Sequence, residues 1–496
     1  MASQIGTLAR HTGIYGLGTI VGGISRAVLA PIVARYMTTY DYGKASVVVT
    51  MVSLLAIVSE LGLSSSLIKF VNEASREDER DKVVSTVLVG SLLVGAPIAI
   101  LCAVFAAPLS EVFLGSADYR GLVLIGVLGG FGNALIQIGL SFERAFARSF
   151  KYFLYTLAKG GSALVLSIAL VVVLRKGAAG LLLGAVLPPL AIGAIIYARL
   201  LGRVGVRASR AIFHRVLSFG GPLVPMNMAM WVLGAFDIFL LRRLAEGGTA
   251  LAEVGLYQYA HEMSLVLTLP VMALSLAWPQ FLFSKYMKPE GPALFARAQV
   301  YFSFFLIAVA FILSDFAEQF AGIVGGAAFK GSAQVMPLLA ASLVFYGLSV
   351  LFASGLYVTG KTRTLAAIVA ASALINIVLN IILIPRMGKQ GAALTAALSN
   401  FVMMSVVLAS SQARFAIPYR LWPPAAGVLL GFAVIVALRV ASSGWSAPVD
   451  IIVRAAAAVG FLAALLRLFG LGRRDMGNAL RIARSLGRSG SPEEVL

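Results

Sequence analysis

GTIVGGISRAVLAPIVARYM, residues 18–37, is long and apolar enough to cross a membrane, yet it carries Arg26 near its middle. A spanning helix takes ~20 mostly apolar residues at ~1.5 Å rise per residue. A guanidinium at that depth is costly, so such a residue normally faces a water-filled cavity or a paired charge and is a functional-site candidate by default. The rest of the chain decides which.

The apolar pattern recurs along all 496 residues, of which 59% are hydrophobic and 12% charged, with a mean hydropathy of +0.93. That balance belongs to a membrane protein and not to a soluble one. About fourteen segments read as spans: 11–36, 43–69, 83–106, 121–145, 153–174, 178–200, 216–244, 254–284, 294–314, 334–359, 364–385, 390–413, 421–441 and 448–470. Their apolar runs are continuous, whereas barrel strands would alternate over ~10 residues. The expected fold class is therefore an all-α polytopic membrane protein with about 14 transmembrane helices. A cleavable signal peptide is not expected, because the first apolar run is too long and lacks a processing site. The single Cys102 excludes a disulfide within the chain.

The net charge of +19 would suggest nucleic acid in a soluble protein, but no aromatic-basic surface or zinc pattern accompanies it, and no nucleic-acid partner is expected. With the N-terminus in the cytoplasm, alternating spans put 26 Lys and Arg at cytoplasmic ends and 12 at external ends. Cytoplasmic excess is the orientation rule for short loops. Both termini are thus expected in the cytoplasm of a cell whose inner membrane holds the protein. The basic tail would lie in the field of membrane lipids.

A shift of about 211 residues aligns Gly177 and Gly180 with Gly388 and Gly391, brings Gly43 near Gly255, and sets Arg26 opposite Asp237. Six spans per unit is an even number, so the two copies run parallel, related by an axis along the membrane normal, with a site near the midplane between them. The expected organisation is a six-helix lobe over 1–214, a second over 215–414, two further helices over 415–470 and a basic tail over 471–496. Glycine-rich faces such as G126VLGG130 are expected to serve close helix packing.

One motif is dismissed on context. G355LYVTGKT362 fits the phosphate loop of nucleotide hydrolases, but it follows a membrane-length apolar run and not a soluble strand. His11, His214 and His261 show no metal-ligand spacing, and no nucleophile elbow or catalytic carboxylate pair stands out. The chain is not expected to be an enzyme or to hold a cofactor or metal. The informative charges lie inside spans. Arg26 and Asp237 fall at similar depth in spans one and seven and are expected to line a central cavity or to meet as a pair across the lobes. Lys159 in span five is a second candidate cation. His261, Glu262 and Glu60 are candidates for ion coupling, driven by an H+ or Na+ gradient.

RYMTTYDYGKASVVVTMVSLLAIVSELGLSSSLIKFVNEA (35–74), DIFLLRRLAEGGTALAEVGLYQYAHEMS (237–264) and the stretch over 356–400 together resemble the polysaccharide-biosynthesis exporters, including the O-antigen flippases, of the multidrug, oligosaccharidyl-lipid and polysaccharide exporter superfamily. The resemblance implies two pseudo-symmetric six-helix lobes of the multidrug and toxin extrusion type. It also implies a flippase that moves an undecaprenyl-pyrophosphate-linked oligosaccharide across the inner membrane by alternating access for a surface polysaccharide, an O-antigen or exopolysaccharide. Glycosyltransferases and a polysaccharide polymerase would be its partners. Arg26 carries a fork suited to phosphate oxygens. Rival readings are a lipid II flippase, a multidrug–cation antiporter, which Arg26 in span one would disfavour, and a non-transport scaffold for envelope-polymer assembly.

Overall fold

The computed structural model describes residues 23, 25–245, 249–442 and 445–471, and every regular element among them is helical. Residues 18–22 and all but the first residue of the basic tail lie outside the described residues. The helices are α1 (Ser25–Ala34), α2 (Thr39–Glu60), α3 (Leu63–Glu73), α4 (Glu77–Val104), α5 (Ala106–Leu114), α6 (Arg120–Ala145), α7 (Ser149–Ile168), α8 (Gly177–Val204), α9 (Arg210–Gly220), α10 (Leu223–Trp231), α11 (Asp237–Leu244) and α12 (Ala250–Lys285). They continue as α13 (Gly291–Asp315), α14 (Ala317–Gly325), α15 (Met336–Phe352), α16 (Ser354–Val358), α17 (Thr362–Met387), α18 (Lys389–Gln412), α19 (Trp422–Ala441) and α20 (Ala447–Phe469). Among the described residues, 12 helical segments are long and apolar enough to cross a membrane. Helix α1 and the 36-residue α12 stand in addition at the positions expected for spans one and eight.

Below, the end of the bundle holding residues 37–39 is upper and the end holding 74–77 is lower. Local chemistry sets the boundaries. Thr38 caps α2 by accepting from the Asp41 amide at 3.0 Å, and Glu77, Asp78 and Glu79 fill the first turn of α4, where the helix dipole favours anions. Span two kinks at Leu61–Gly62, where Gly62 has φ +70° and its α-carbon lies under the Gly220 carbonyl, leaving no room for a side chain. Span seven departs from expectation. Residues 210–220 form a separate amphipathic helix held to α3 by Ser66, whose hydroxyl donates to the Val216 carbonyl at 2.9 Å, and the membrane-length segment begins only at Leu223. A π-helical stretch, Val232–Phe236, then interrupts it just before Asp237.

Glycines on α6 set the packing of α2 to α8. Gly126 and Gly130 face α2 at Val48 and Leu55, while Gly129 and Gly132 face α8, a β-carbon at Gly132 falling 2.8 Å from the Leu190 α-carbon. In the second group α17 and α18 form a hairpin and α18 packs on α15, where Asn400 donates to Ser342 at 2.7 Å. Helices α19 and α20 lie against α13. Phe311 stacks on Phe461 at 3.9 Å, and the buried Arg454 donates to the Asp315 carbonyl at 2.8 Å and to the Asp450 carboxylate at 2.8 Å.

The two groups meet chiefly at the upper end. Helices α2 and α12 cross in backbone contact: a β-carbon on Gly43 would fall 1.8 Å from the Leu251 carbonyl oxygen, and one on Gly255 would fall 2.0 Å from that of Thr39. Tyr42, Tyr259 and Phe329 interlock beneath, with ring centroids 4.8–6.3 Å apart. Arg35 donates to the Ile323 and Val324 carbonyls, and Arg242 to that of Leu114 at 2.8 Å. The upper end is therefore closed.

Candidate functional site

Below this closure α1 runs between the two groups, with Gly23 against Leu269 of α12. Arg26 is exposed, and no described carboxylate lies within ion-pair distance of it. Its charge acts on Lys159 of α7 on one side and on His261 of α12 on the other. Lys159 is oriented by Asn133, whose amide oxygen accepts from its ammonium at 3.1 Å, and Asn133 is itself held by the Gly129 carbonyl at 2.9 Å. Arg26, exposed, and Lys159, half-buried, are thus close enough to repel. Such a pair repels unless an anion joins it. Both can donate to phosphate oxygens, Arg26 through a planar fork and Lys159 as a point charge.

Asp237 does not belong to that pair. It is 4% exposed and accepts from the Tyr257 hydroxyl at 3.0 Å and the Asn380 amide at 2.6 Å, all within the second group. Expected to line the central cavity or to meet Arg26, Asp237 is placed where the π-helical stretch restarts the helix, with its hydrogen-bond partners on α12 and α17. Instead Asp237 heads a buried oxygen-rich cluster. Asn376 accepts from Asn380 at 3.1 Å, while Asn380 Oδ1, Thr395 Oγ1 and the Asn376 donor Nδ2 have no hydrogen-bond partner. Gly391 packs on Leu383 and Ile384 across the α17–α18 hairpin, so four residues further down each arm Thr395 is level with Asn380. A buried carboxylate with no cation costs several kcal/mol, and orphaned acceptors beside it suit a hard cation bound by oxygen. Among the described residues no group of three or more His, Cys, Asp or Glu is arranged to hold a metal; this donor set is of amides and a hydroxyl around one carboxylate.

The three coupling candidates separate. His261 and Glu262 lie half-buried on α12, where Glu262 accepts from Gln258 at 2.8 Å while its other oxygen and His261 Nδ1 have no partner. Glu60 is elsewhere, inside the first group beside Ser64 and Arg144. The phosphate-loop match begins in a packed helix and ends exposed: the Gly355 amide donates to Ser411 at 2.8 Å and a β-carbon there would fall 2.5 Å from the same hydroxyl, while Thr359 to Thr362 are exposed at the end of α16. Asn133, Tyr257, Asn376, Asn380 and Arg454 escaped the sequence reading. The pair Asn376 and Asn380 carried a signal, since two amides four residues apart in an apolar helix share one face.

A bundle of 12 membrane-length helical segments, closed at its upper end, is the architecture of a polytopic membrane protein. The sequence pattern of the polysaccharide biosynthesis protein family matches residues 8–278, over half the chain, and the protein belongs to that family. Among solved structures it is similar to the lipid II flippase MurJ in an inward closed conformation, at 15% identity and a TM-score of 0.69 over 91% of this chain and 98% of that one. It is also similar to an inward-facing multidrug resistance MATE family transporter of the MOP superfamily, at 15% identity and 0.60 over 82% and 94%, and to a MATE in a straight conformation, at 14% and 0.57 over 83% and 96%. No curated protein sequence matches the chain. The fold is shared with structures described as a flippase and as multidrug transporters.

Proposed function

We propose that the protein flips a lipid-linked oligosaccharide, carried on undecaprenyl pyrophosphate, from the inner to the outer leaflet of the bacterial inner membrane by alternating access. The observation that carries this reading is the exposed Arg26, without an acidic partner among the described residues and with Lys159 near enough to feel its charge, below the contact that closes the upper end. A pyrophosphate supplies the anion that such a pair lacks, and a lateral gap lets the lipid tail stay in the bilayer while the glycan is hydrated. The lower end is cytoplasmic in this reading, as the basic excess expects, and the arrangement described is then closed outward and ready to load. The lobes of the expected division, 1–214 and 215–414, would rock against each other about their shared axis.

The Asp237 cluster supports coupling to sodium. A proton would satisfy only the carboxylate, whereas a cation also uses Asn380 Oδ1 and Thr395 Oγ1. His261 and Glu262 border the cation pair and are better suited to sensing the anion than to holding an ion, so they are proposed as neighbours of the substrate path. Lipid II also joins a polyprenyl tail to a sugar through pyrophosphate, and the MurJ likeness keeps it as the second reading. The test is flipping by purified protein in vesicles, with labelled lipid-linked oligosaccharide and lipid II offered separately under a sodium gradient. Transport of neither, by protein shown to be folded, refutes the proposal; transport of lipid II alone selects the second reading.

A further inference from the structure

At the lower end of the first group, on the same side of α7 as Lys159 and one to three turns below it, a cavity of about 180 Å³ opens between the end of α6, the start of α7 and the last turns of α8. Its walls carry Arg148, Lys151, Arg199 and Arg203, four cations against one carboxylate, Glu143. Glu143 is 4% exposed, one of its oxygens has no hydrogen-bond partner, and Arg148, Lys151 and Arg199 all act on it electrostatically. The cations are held in place. Arg199 donates to the Tyr155 hydroxyl at 2.9 Å, and Arg148 lies over the Phe142 and Phe146 rings at 5.6 and 5.4 Å. Only Arg203 has another acid, Glu77, at 3.7 Å, and Glu77 is 83% exposed there, so this pair holds weakly.

A second observation says what covers the cavity. Around α7 from it, on the outer face at about the same level, Phe150, Leu154 and Leu157 recur at helical spacing and are 68, 50 and 40% exposed, and Ile195 of α8, one turn above Arg199, is 57% exposed. The segment containing α7 is the least buried of all the membrane-length segments, at 11%. An apolar outer face of α7 and α8 that borders a cationic cavity at the depth where helices terminate suits one molecule: acyl chains along the outer face, phosphate in the cavity.

We propose that this cavity is a binding site for an anionic phospholipid of the leaflet at the lower end, its headgroup phosphate taken by Arg148, Lys151 and Arg199. The excess positive charge makes a zwitterionic lipid a poor occupant, because its own ammonium would sit among three cations. The inference does not depend on what the protein transports. Each basic residue near an anionic surface contributes on the order of 1 kcal/mol, so removing two weakens retention roughly 30-fold.

The test uses full-length protein purified into detergent and exchanged into vesicles of phosphatidylcholine with increasing phosphatidylglycerol. Native mass spectrometry counts retained phosphatidylglycerol, and the melting temperature is followed in parallel. Wild type should keep phosphatidylglycerol through washing. The double variant R148Q/R199Q should lose it by about 30-fold while melting as wild type does in pure phosphatidylcholine. K285Q/K288Q, which removes the same charge at the same end outside the cavity, should retain it. Equal retention by R148Q/R199Q, or equal loss by K285Q/K288Q, overturns the site. Should R148Q/R199Q fail to fold, R148K/R199K, which keeps charge, must retain the lipid. Displacement by millimolar inorganic pyrophosphate would mean a soluble-anion site, and preferential displacement by undecaprenyl pyrophosphate a substrate-loading site; either result overturns the phospholipid assignment.

Discussion

Substitution of Gly43 by alanine should open the upper end. The added β-carbon would lie 1.8 Å from the Leu251 carbonyl oxygen, 2.8 Å from its carbon and 3.1 Å from the Gly255 nitrogen, all backbone atoms that no rotamer change can move. Reaching ordinary contact requires α2 and α12 to part by about 1.5 Å, and overpacking of that kind costs about 1–3 kcal/mol. The clash lies only between the two groups, so they relieve it by separating and not by unfolding. The closed arrangement alone therefore bears the penalty, and a 2 kcal/mol bias shifts its ratio to an upper-open one by roughly 30-fold. The assay is labelling of Met263→Cys on α12, below the seal, by an impermeant maleimide applied from the upper side, in a background lacking Cys102. Gly43→Ala should raise the labelling rate by tens of fold and slow transport. Gly132→Ala is the control, because its clash with the Leu190 backbone lies within one group; it should lower melting temperature without changing labelling. Labelling of Gly43→Ala at the wild-type rate with wild-type transport would refute the reasoning.

Arg26→Ala should abolish flipping at normal expression and Arg26→Lys should keep part of it, since the fork is lost while the charge stays; the exchange Arg26→Asp with Asp237→Arg should not restore transport, and full recovery in the vesicle assay would return the two to a structural pair. Asp237→Asn should remove stabilisation by sodium: wild type at 100 times its dissociation constant gains about 2.7 kcal/mol, seen as a higher melting temperature in NaCl than in choline chloride, and an equal rise in the variant would exclude the cluster as the ion site. Arg454→Gln should destabilise by about 3–5 kcal/mol, because it strands two carboxylates at the α13–α20 contact; a melting temperature within a degree of wild type would contradict that.

The all-helical membrane fold was legible because apolar length is a one-dimensional signal. The break before Leu223 was passed over although Gly220, Gly221 and Pro222 mark it in the sequence, because the apolar run from Val216 reads on across them; in the fold Gly220 packs under Gly62. The repeat was legible as glycines, and Gly43 and Gly255, aligned by a sequence shift, touch each other across the groups. Charges were easier to find than to assign. Depth along a helix follows from counting, and it put Arg26 and Asp237 level, but the direction each side chain takes depends on a π-helical stretch that composition does not announce. The ion cluster was missed for a different reason. It is built mostly of neutral amides and a hydroxyl, which read as ordinary polar residues until four helices bring them around one acid.

The contact between Arg454 and Asp315 joins residues 139 positions apart, and both are nearly inaccessible, at 3 and 1% exposure. On a ribosome making about 5–20 residues per second, Asp315 waits roughly 7–30 s after its own synthesis before the cation that neutralises it is made. During that interval the upper end of α13 presents an acid without a partner, and the last hairpin is what ends the wait. Helices α19 and α20 therefore complete the charge balance of α13: until residue 454 is made, the buried Asp315 lacks the cation that meets it in the fold.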